Sequence, residues 1–277
     1  MKNKGLIITL IILLSIIIFF LVMLLVMYLK GGMSFKNGIF SIGSKSTNII
    51  YDKQFELEDI KDIDIKQDAG DIIIKESEND SVKVVLYGEN EGDAQVELNN
   101  GKLTIDNTHN RRSFVFFNFG VTKNDIIIYV PSNYSNNVKI NNDYGECKIT
   151  DLENATINID CDCGNVEIGK IKNAIIKCDY GNIEIKEIMN KCDIKADCGN
   201  IQIDTISIKE NSSIKADLGN IDINNTNDIY IDADVDLGKT NINKNNRNAS
   251  VTLKVNCDCG NVTINNCTLS SNSASCS

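Results

Sequence analysis

The sequence has no tryptophan, a single proline (Pro131) and a single histidine (His109) in 277 residues. One histidine leaves no Ser/His/Asp or Cys/His arrangement to build. No P-loop, dinucleotide fingerprint or zinc-protease helix is present either. The cysteines do not supply the usual zinc spacing, because their pairs read Cys-x-Cys (Cys161 and Cys163, Cys257 and Cys259). Acidic residues are missing from 1–49, which hold Lys2, Lys4, Lys30, Lys36 and Lys45, a charge of +5. The formal net charge is −10, so the remainder carries −10 − 5 = −15. So acidic a body is a poor match for nucleic acid, which rewards clustered Lys and Arg.

Charge is absent altogether from residues 6–29, LIITLIILLSIIIFFLVMLLVMYL. As a helix this run measures about 36 Å, enough to cross a hydrocarbon core of about 30 Å with some tilt. It is longer than the apolar run of a cleaved signal peptide and ends in Tyr28-Leu29-Lys30. The expectation is a single-pass membrane anchor after a short tail (1–5), with the bulk of the chain extracytoplasmic. Lysines flank both ends of the span, so the positive-inside rule nearly ties; a short N-terminal tail with an early span favours export of the downstream chain. Residues 30–49, rich in Gly, Ser and Asn, are expected as a flexible stalk.

What the chain has in abundance is Ile, Asn, Asp, Lys and Gly, the vocabulary of strands separated by tight corners. One phrase recurs. It reads INNDYGECKI at 140–149, IDCDCGNVEI at 159–168, IKCDYGNIEI at 176–185, IKADCGNIQI at 194–203, IKADLGNIDI at 214–223, ADVDLGKTNI at 233–242 and VNCDCGNVTI at 255–264, with an isolated early copy, IKQDAGDIII, at 65–74. The seven later glycines (Gly145, Gly164, Gly181, Gly199, Gly219, Gly238 and Gly260) lie 19, 17, 18, 20, 19 and 22 residues apart. A period near 19 with an alternating interior points to a solenoid. Four residues after each glycine stands isoleucine: Ile149, Ile168, Ile185, Ile203, Ile223, Ile242 and Ile264. Their common parity puts them on one face, stacked as a core ladder. The fold class expected is all-β, a right-handed parallel β-helix of about 19 residues per coil behind one transmembrane helix, the handedness following parallel crossovers in general. A flat sandwich of hairpins is the alternative, and it leaves the fixed phrase unexplained.

The solenoid is expected over 50–266, with an irregular first part (50–130), regular repeats (138–266) and a disordered tail (267–277). At each corner Gly takes a conformation closed to other residues, and the Asn that often comes next tolerates left-handed backbone. Two residues before the glycine stand Asp143, Asp162, Asp179, Asp197, Asp217, Asp236 and Asp258. They can accept turn amides. A calcium ladder is the sharper reading of this acid column, but the paired-glycine calcium repeat is absent. No metal site is expected.

Ten cysteines admit three readings: buried small hydrophobes, disulfides between stacked coils, or metal ligands. Ala, Leu and Val replace them in other copies, which favours the first. Residues 109–120, HNRRSFVFFNFG, break the pattern. Arg111, Arg112, Phe114, Phe116, Phe117 and Phe119 are either a hairpin loop capping one end of the solenoid or a partner-binding patch.

A span, a strand ending in Val130-Pro131 and tandem copies of Ile-x-x-x-x-Gly-Asn-Ile-x-Ile resemble the bacterial DUF4097 family of candidate adhesin domains over roughly 50–266. The resemblance implies a membrane-anchored β-solenoid of a Gram-positive cell envelope, with no catalytic residues to carry over. The expected function is a non-enzymatic binding or structural module of the envelope, with no cofactor. Its partner would be the membrane through its single span and an envelope polymer or protein, and it could form a homo-oligomer. The alternatives are a cytoplasm-facing scaffold that self-assembles like a bactofilin, or an enzyme acting on wall glycan.

Overall fold

The computed structural model describes residues 33–36, 39–42, 48–88, 94–108, 124–265, 268–270 and 273–275. Among them no helix is long and apolar enough to cross a membrane, and the span expected at 6–29 lies outside them. The chain divides into two units, Met1–Lys45 with Arg112–Lys123, and Ser46–Arg111 with Asn124–Ser277. In the first, within the expected stalk, Met33–Lys36 pairs antiparallel with Ile39–Ile42. In the second, the expected disordered tail carries a short antiparallel pair, Thr268–Ser270 with Ser273–Ser275.

The second unit is a solenoid-like stack built from one 19-stranded sheet. Each copy of the repeat contributes a strand, a two-residue corner and a second strand, and like strands of neighbouring coils pair in parallel. The alternation of Ile with polar residues explains this directly, because a period of two puts every second side chain on one face. Registers are strict: Ile140 pairs with Ile159, Ile159 with Ile176, Ile176 with Ile194, and Ile194 with Ile214. On the second strand Ile149, Ile168, Ile185, Ile203, Ile223 and Ile264 are buried, while Ile242 is only partly covered. Parallel pairing throughout the repeats excludes a sandwich of hairpins.

The order of the coils in space departs from their order in the chain at both ends. The early copy is not isolated. Asp62–Ala69 lies between Lys102–Asn107 and Asn137–Tyr144, so residues 65–74 form the coil directly beside the first of the seven. At the far end Thr252–Cys259 inserts between Ser212–Leu218 and Tyr230–Leu237. The sixth copy is therefore the outermost coil, and the seventh fills the place beneath it. Successive copies therefore do not all stack in chain order. All copies offer the same backbone edge and the same isoleucine positions, and passing over one coil adds only about 4.8 Å to a connection.

The two ends also differ. Gln95–Asn99 pairs antiparallel with Lys102–Asn107, and Ser81–Tyr87 pairs antiparallel with both Ile126–Val130 and Ile49–Glu56. These antiparallel strands end the parallel stack on that side; the phenylalanine-rich loop, expected as an end cap or a partner patch, falls within 109–123, outside the described residues. At the other end, among the described residues, Tyr230–Leu237 pairs on one side only.

A chain ending at residue 250 lacks the strand on which Tyr230–Leu237 depends. Hydrogen exchange should then find the amides of 230–242 unprotected while those of 173–206 keep their protection. Continued protection of 230–242 would show that this coil can dock directly on Ser212–Leu218.

Candidate functional site

The corner, repeated along the stack, is where polar and reactive side chains gather, and close approach at glycine organises it. A Cβ built on Gly145 would land on the carbonyl of Gly70 in the adjacent coil, and one on Gly164 would land on that of Gly145. The same relation runs through Gly181, Gly199 and Gly219 to Gly260, and then to Gly238, in the order of stacking. Gly145 also holds φ +144°, a conformation that L side chains rarely adopt.

The residue after the glycine builds a second ladder. Asn165 Oδ1 accepts the backbone N–H of Asn182 at 3.0 Å, Asn182 that of Asn200 at 2.9 Å, and Asn200 that of Asn220 at 2.9 Å. Asn220 accepts that of Asn261 at 2.9 Å, and Asn261 that of Lys239 at 3.0 Å. At the other end Asp71 accepts the Glu146 N–H at 3.1 Å. These asparagines are chosen for this bond and not for left-handed backbone, since among the described residues only Asn100 is a non-glycine with positive φ. Each bond ties a side chain of one coil to the main chain of the next.

The aspartates two before the glycine meet lysines. Lys177, Lys195 and Lys215 pair with Asp179, Asp197 and Asp217 at 2.8, 2.6 and 2.7 Å. Lys195 and Lys215 also reach the next coil, to Asp217 at 3.7 Å and Asp258 at 3.3 Å. These pairs are solvated, so each adds little to stability. Toward the other end the lysine position holds Asn141 and Asp160. There partial burial, and then the charges of Asp162, Asp68 and Asp160, hold the Asp143 carboxyl above the ordinary range. Among the described residues no group of three or more His, Cys, Asp or Glu could hold a metal ion.

Three residues before the glycine the side chains turn inward, and their chemistry changes along the stack. In spatial order they are Gln67, Asn142, Cys161, Cys178, Ala196, Ala216, Cys257 and Val235, and Asn107, with no glycine after it, pairs beside Gln67. Asn107 donates to Gln67 at 2.9 Å, and Gln67 to the Asn124 carbonyl. Asn142 donates to the Gly145 carbonyl at 3.0 Å. The thiols continue the pattern more weakly: Cys178 Sγ lies 3.5 Å from the Gly164 carbonyl, and Cys257 Sγ 3.3 Å from that of Gly219. Inward groups thus satisfy the glycine carbonyls from below.

All eight described cysteines are free. Cys161 is raised far above the ordinary thiol range by its hydrogen bond with Cys147, and Cys178 by its bond with Cys161 and then by burial. Burial pushes Cys192 up to about 12. These thiols stay protonated and behave as small core residues. The position just before the glycine is different: Tyr144, Tyr180, Leu218 and Leu237 are exposed there, as is Cys259.

Two shallow clefts lie on the outer faces. One, of about 330 Å³, is lined by Asp62, Asp64, Lys102, Asn137 and Lys139 among others. Its carboxylates are engaged: Asp64 pairs with Lys102 at 2.6 Å, and Asp62 accepts from Asn137 at 2.9 Å. The other, of about 370 Å³, holds Glu167 paired with Lys148, beside Glu184. Arg111, Arg112, Phe114, Phe116, Phe117, Phe119 and His109 lie outside the described residues. Sequence reasoning located the glycine, aspartate and isoleucine columns. It missed the asparagine-to-backbone ladder, although Asn after Gly in five copies was its signal.

The profile of the Toastrack DUF4097 family matches residues 60–275. Among solved structures, a candidate adhesin from Bacteroides fragilis is 15% identical, with TM-score 0.48, covering 80% of this chain and 99% of its own. A candidate cell adhesion protein from Clostridium sporogenes is 14% identical, with TM-score 0.35, over 77% of this chain and 97% of its own. A candidate lipid binding protein from Parabacteroides distasonis is 13% identical, with TM-score 0.40, over 79% and 98%. No curated protein matches the sequence.

The corner contact can be tested by substitution and by pH. Gly181→Ala forces a methyl group against the Gly164 carbonyl and should cost about 3 kcal/mol in denaturant unfolding. A cost below about 1 kcal/mol would show that the coils can part. Asp143 binds its proton more tightly folded than unfolded, so its contribution to stability is present at low pH and lost as pH rises through its raised pKa. Asp143→Asn should therefore raise the denaturation midpoint at pH 7, with the gain closing toward about pH 3.

Proposed function

Because the chain belongs to the Toastrack DUF4097 family, we propose that it is a non-enzymatic module of the cell envelope, a membrane-anchored rod whose outer residues bind or space other components. The observation that carries this reading is how the stack uses its polar groups. Much of its polar chemistry links one coil to the next, as in the Asn220 N–H to Asn200 and Asp64 to Lys102. A catalytic carboxylate needs a perturbed, available proton and a groove for substrate. The charge-free run 6–29 supports an anchor, and the acidic body supports an exported, solvated rod. We infer a right-handed winding for the coils, the sense that parallel crossovers overwhelmingly take.

One observation favours a second reading, a scaffold facing the cytoplasm. Eight described cysteines without a disulfide fit a reducing compartment. End-to-end polymerisation of the bactofilin kind fits less well. One end finishes in antiparallel strands, which do not match the parallel edge at the other, and that edge strand carries Asp232, Asp234 and Asp236, a charge pattern that opposes strand pairing.

Cys259 is exposed and separates the readings. A membrane-impermeant maleimide applied to intact cells should modify the peptide bearing Cys259, as mapped by mass spectrometry. Modification only after lysis, in the wild-type chain and equally in a Tyr144→Ser chain, would place the rod in the cytoplasm and overturn the first reading.

A further inference from the structure

The residue before each corner glycine lies on one ridge that runs the length of the stack. Registers give its order: Ala69 pairs with Tyr144, Tyr144 with Cys163, Cys163 with Tyr180, and Tyr180 with Cys198. It continues through Leu218 and Cys259 to Leu237. Large and small residues alternate without exception over these eight coils. The large ones are exposed, Tyr144 by 59%, Tyr180 by 61%, Leu218 by 55% and Leu237 by 70%. The alternation exists only in space. In the chain Leu218 and Leu237 are consecutive and Cys259 comes last. Insertion of the seventh copy between the fifth and sixth restores the pattern.

Adjacent knobs stand two coils, or about 9.6 Å, apart, with a gap one small residue wide between them. A contiguous apolar ridge of this kind is uncommon on a solvated surface and marks a contact. A lipid surface or a flat polymer gains nothing from gaps that repeat every second coil. A surface with the same period and the opposite phase does, and the ridge read in reverse is such a surface.

We propose that the ridge docks a second copy of this chain, antiparallel, about a two-fold axis between Tyr180 and Cys198. Each knob then enters a gap: Tyr180 meets the partner's Cys198, Tyr144 meets the partner's Cys259, Leu218 meets the partner's Cys163, and Leu237 meets the partner's Ala69. Interdigitation of large and small side chains is the packing that well-ordered interfaces use. The ridge offers on the order of 600 Å² per copy, so a pair buries roughly 1,200 Å², the low end of specific interfaces. The association is therefore weak and reversible. The aspartate columns of the two copies run along the same side of such a pair. Lys177, Lys195 and Lys215 offset them nearest the axis, and added salt should strengthen the dimer.

The test is sedimentation equilibrium of the full chain in detergent micelles, with circular dichroism to verify folding of each variant. The wild-type chain should show a concentration-dependent monomer–dimer equilibrium. Tyr180→Ser, which removes a knob, should weaken it at least about tenfold. Cys198→Tyr, which fills a gap while adding apolar surface, should weaken it as much. Combining Cys198→Tyr with Tyr180→Ser exchanges knob and gap across the axis and should restore the dimer to within about threefold of wild type. A monomer at every concentration up to about 100 µM overturns the proposal. So does tighter association of Cys198→Tyr alone, or its stronger retention on lipid vesicles or an insoluble glycan, because a merely sticky ridge improves when its gaps are filled. Dimerisation through the charge-free run 6–29 would leave all three variants unchanged and overturns it equally.

Discussion

The structure rests on the contact between glycine backbones of adjacent coils. The carbonyl of one corner glycine occupies the space a side chain would need on the next, from Gly70 through Gly145 to Gly238. No other residue permits this approach. Once it is set, the spacing of coils at the corner is set too. The asparagine side chain then lies within reach of the next main-chain N–H, and the residue three before the glycine lies beneath the carbonyls. The residue just before the glycine is turned to the outside. Four columns of different chemistry thus arise from one close contact.

The same uniformity loosens the link between chain order and stacking order. Every coil presents parallel backbone edges and isoleucine at matching positions, so the edge of any coil can receive any other. The chain uses this freedom at both ends: the early copy at 65–74 joins the regular stack, and the last two copies exchange places. The consequence reaches the surface as well as the topology. Surface rows are composed by stacking, and the alternating ridge from Ala69 to Leu237 is a row that no reading along the chain contains.

The thiols illustrate how little chemistry the interior invites. Cys161 and Cys178 occupy a column that begins as amides and ends as Ala, Ala, Cys and Val. Buried and hydrogen-bonded to each other and to glycine carbonyls, they are held far from the thiolate that reactivity requires. The outer faces are similarly committed, with lysine–aspartate and lysine–glutamate pairs bridging neighbouring coils. A stack built this way presents shape and charge to its surroundings more than a reactive group.

The sequence by itself determined the repeat, the all-β class, the corner at Gly and the isoleucine column, because a period of two within a period near 19 leaves little else to build. It also carried the family, through Ile-x-x-x-x-Gly-Asn-Ile-x-Ile. Tertiary structure alone decided which coil stands beside which, since identical edges carry no address. It alone showed that the asparagines bond across coils, a partner that only stacking supplies. It also set Ser81–Tyr87 between Ile126–Val130 and Ile49–Glu56, antiparallel partners that lie too far along the chain for periodicity to name.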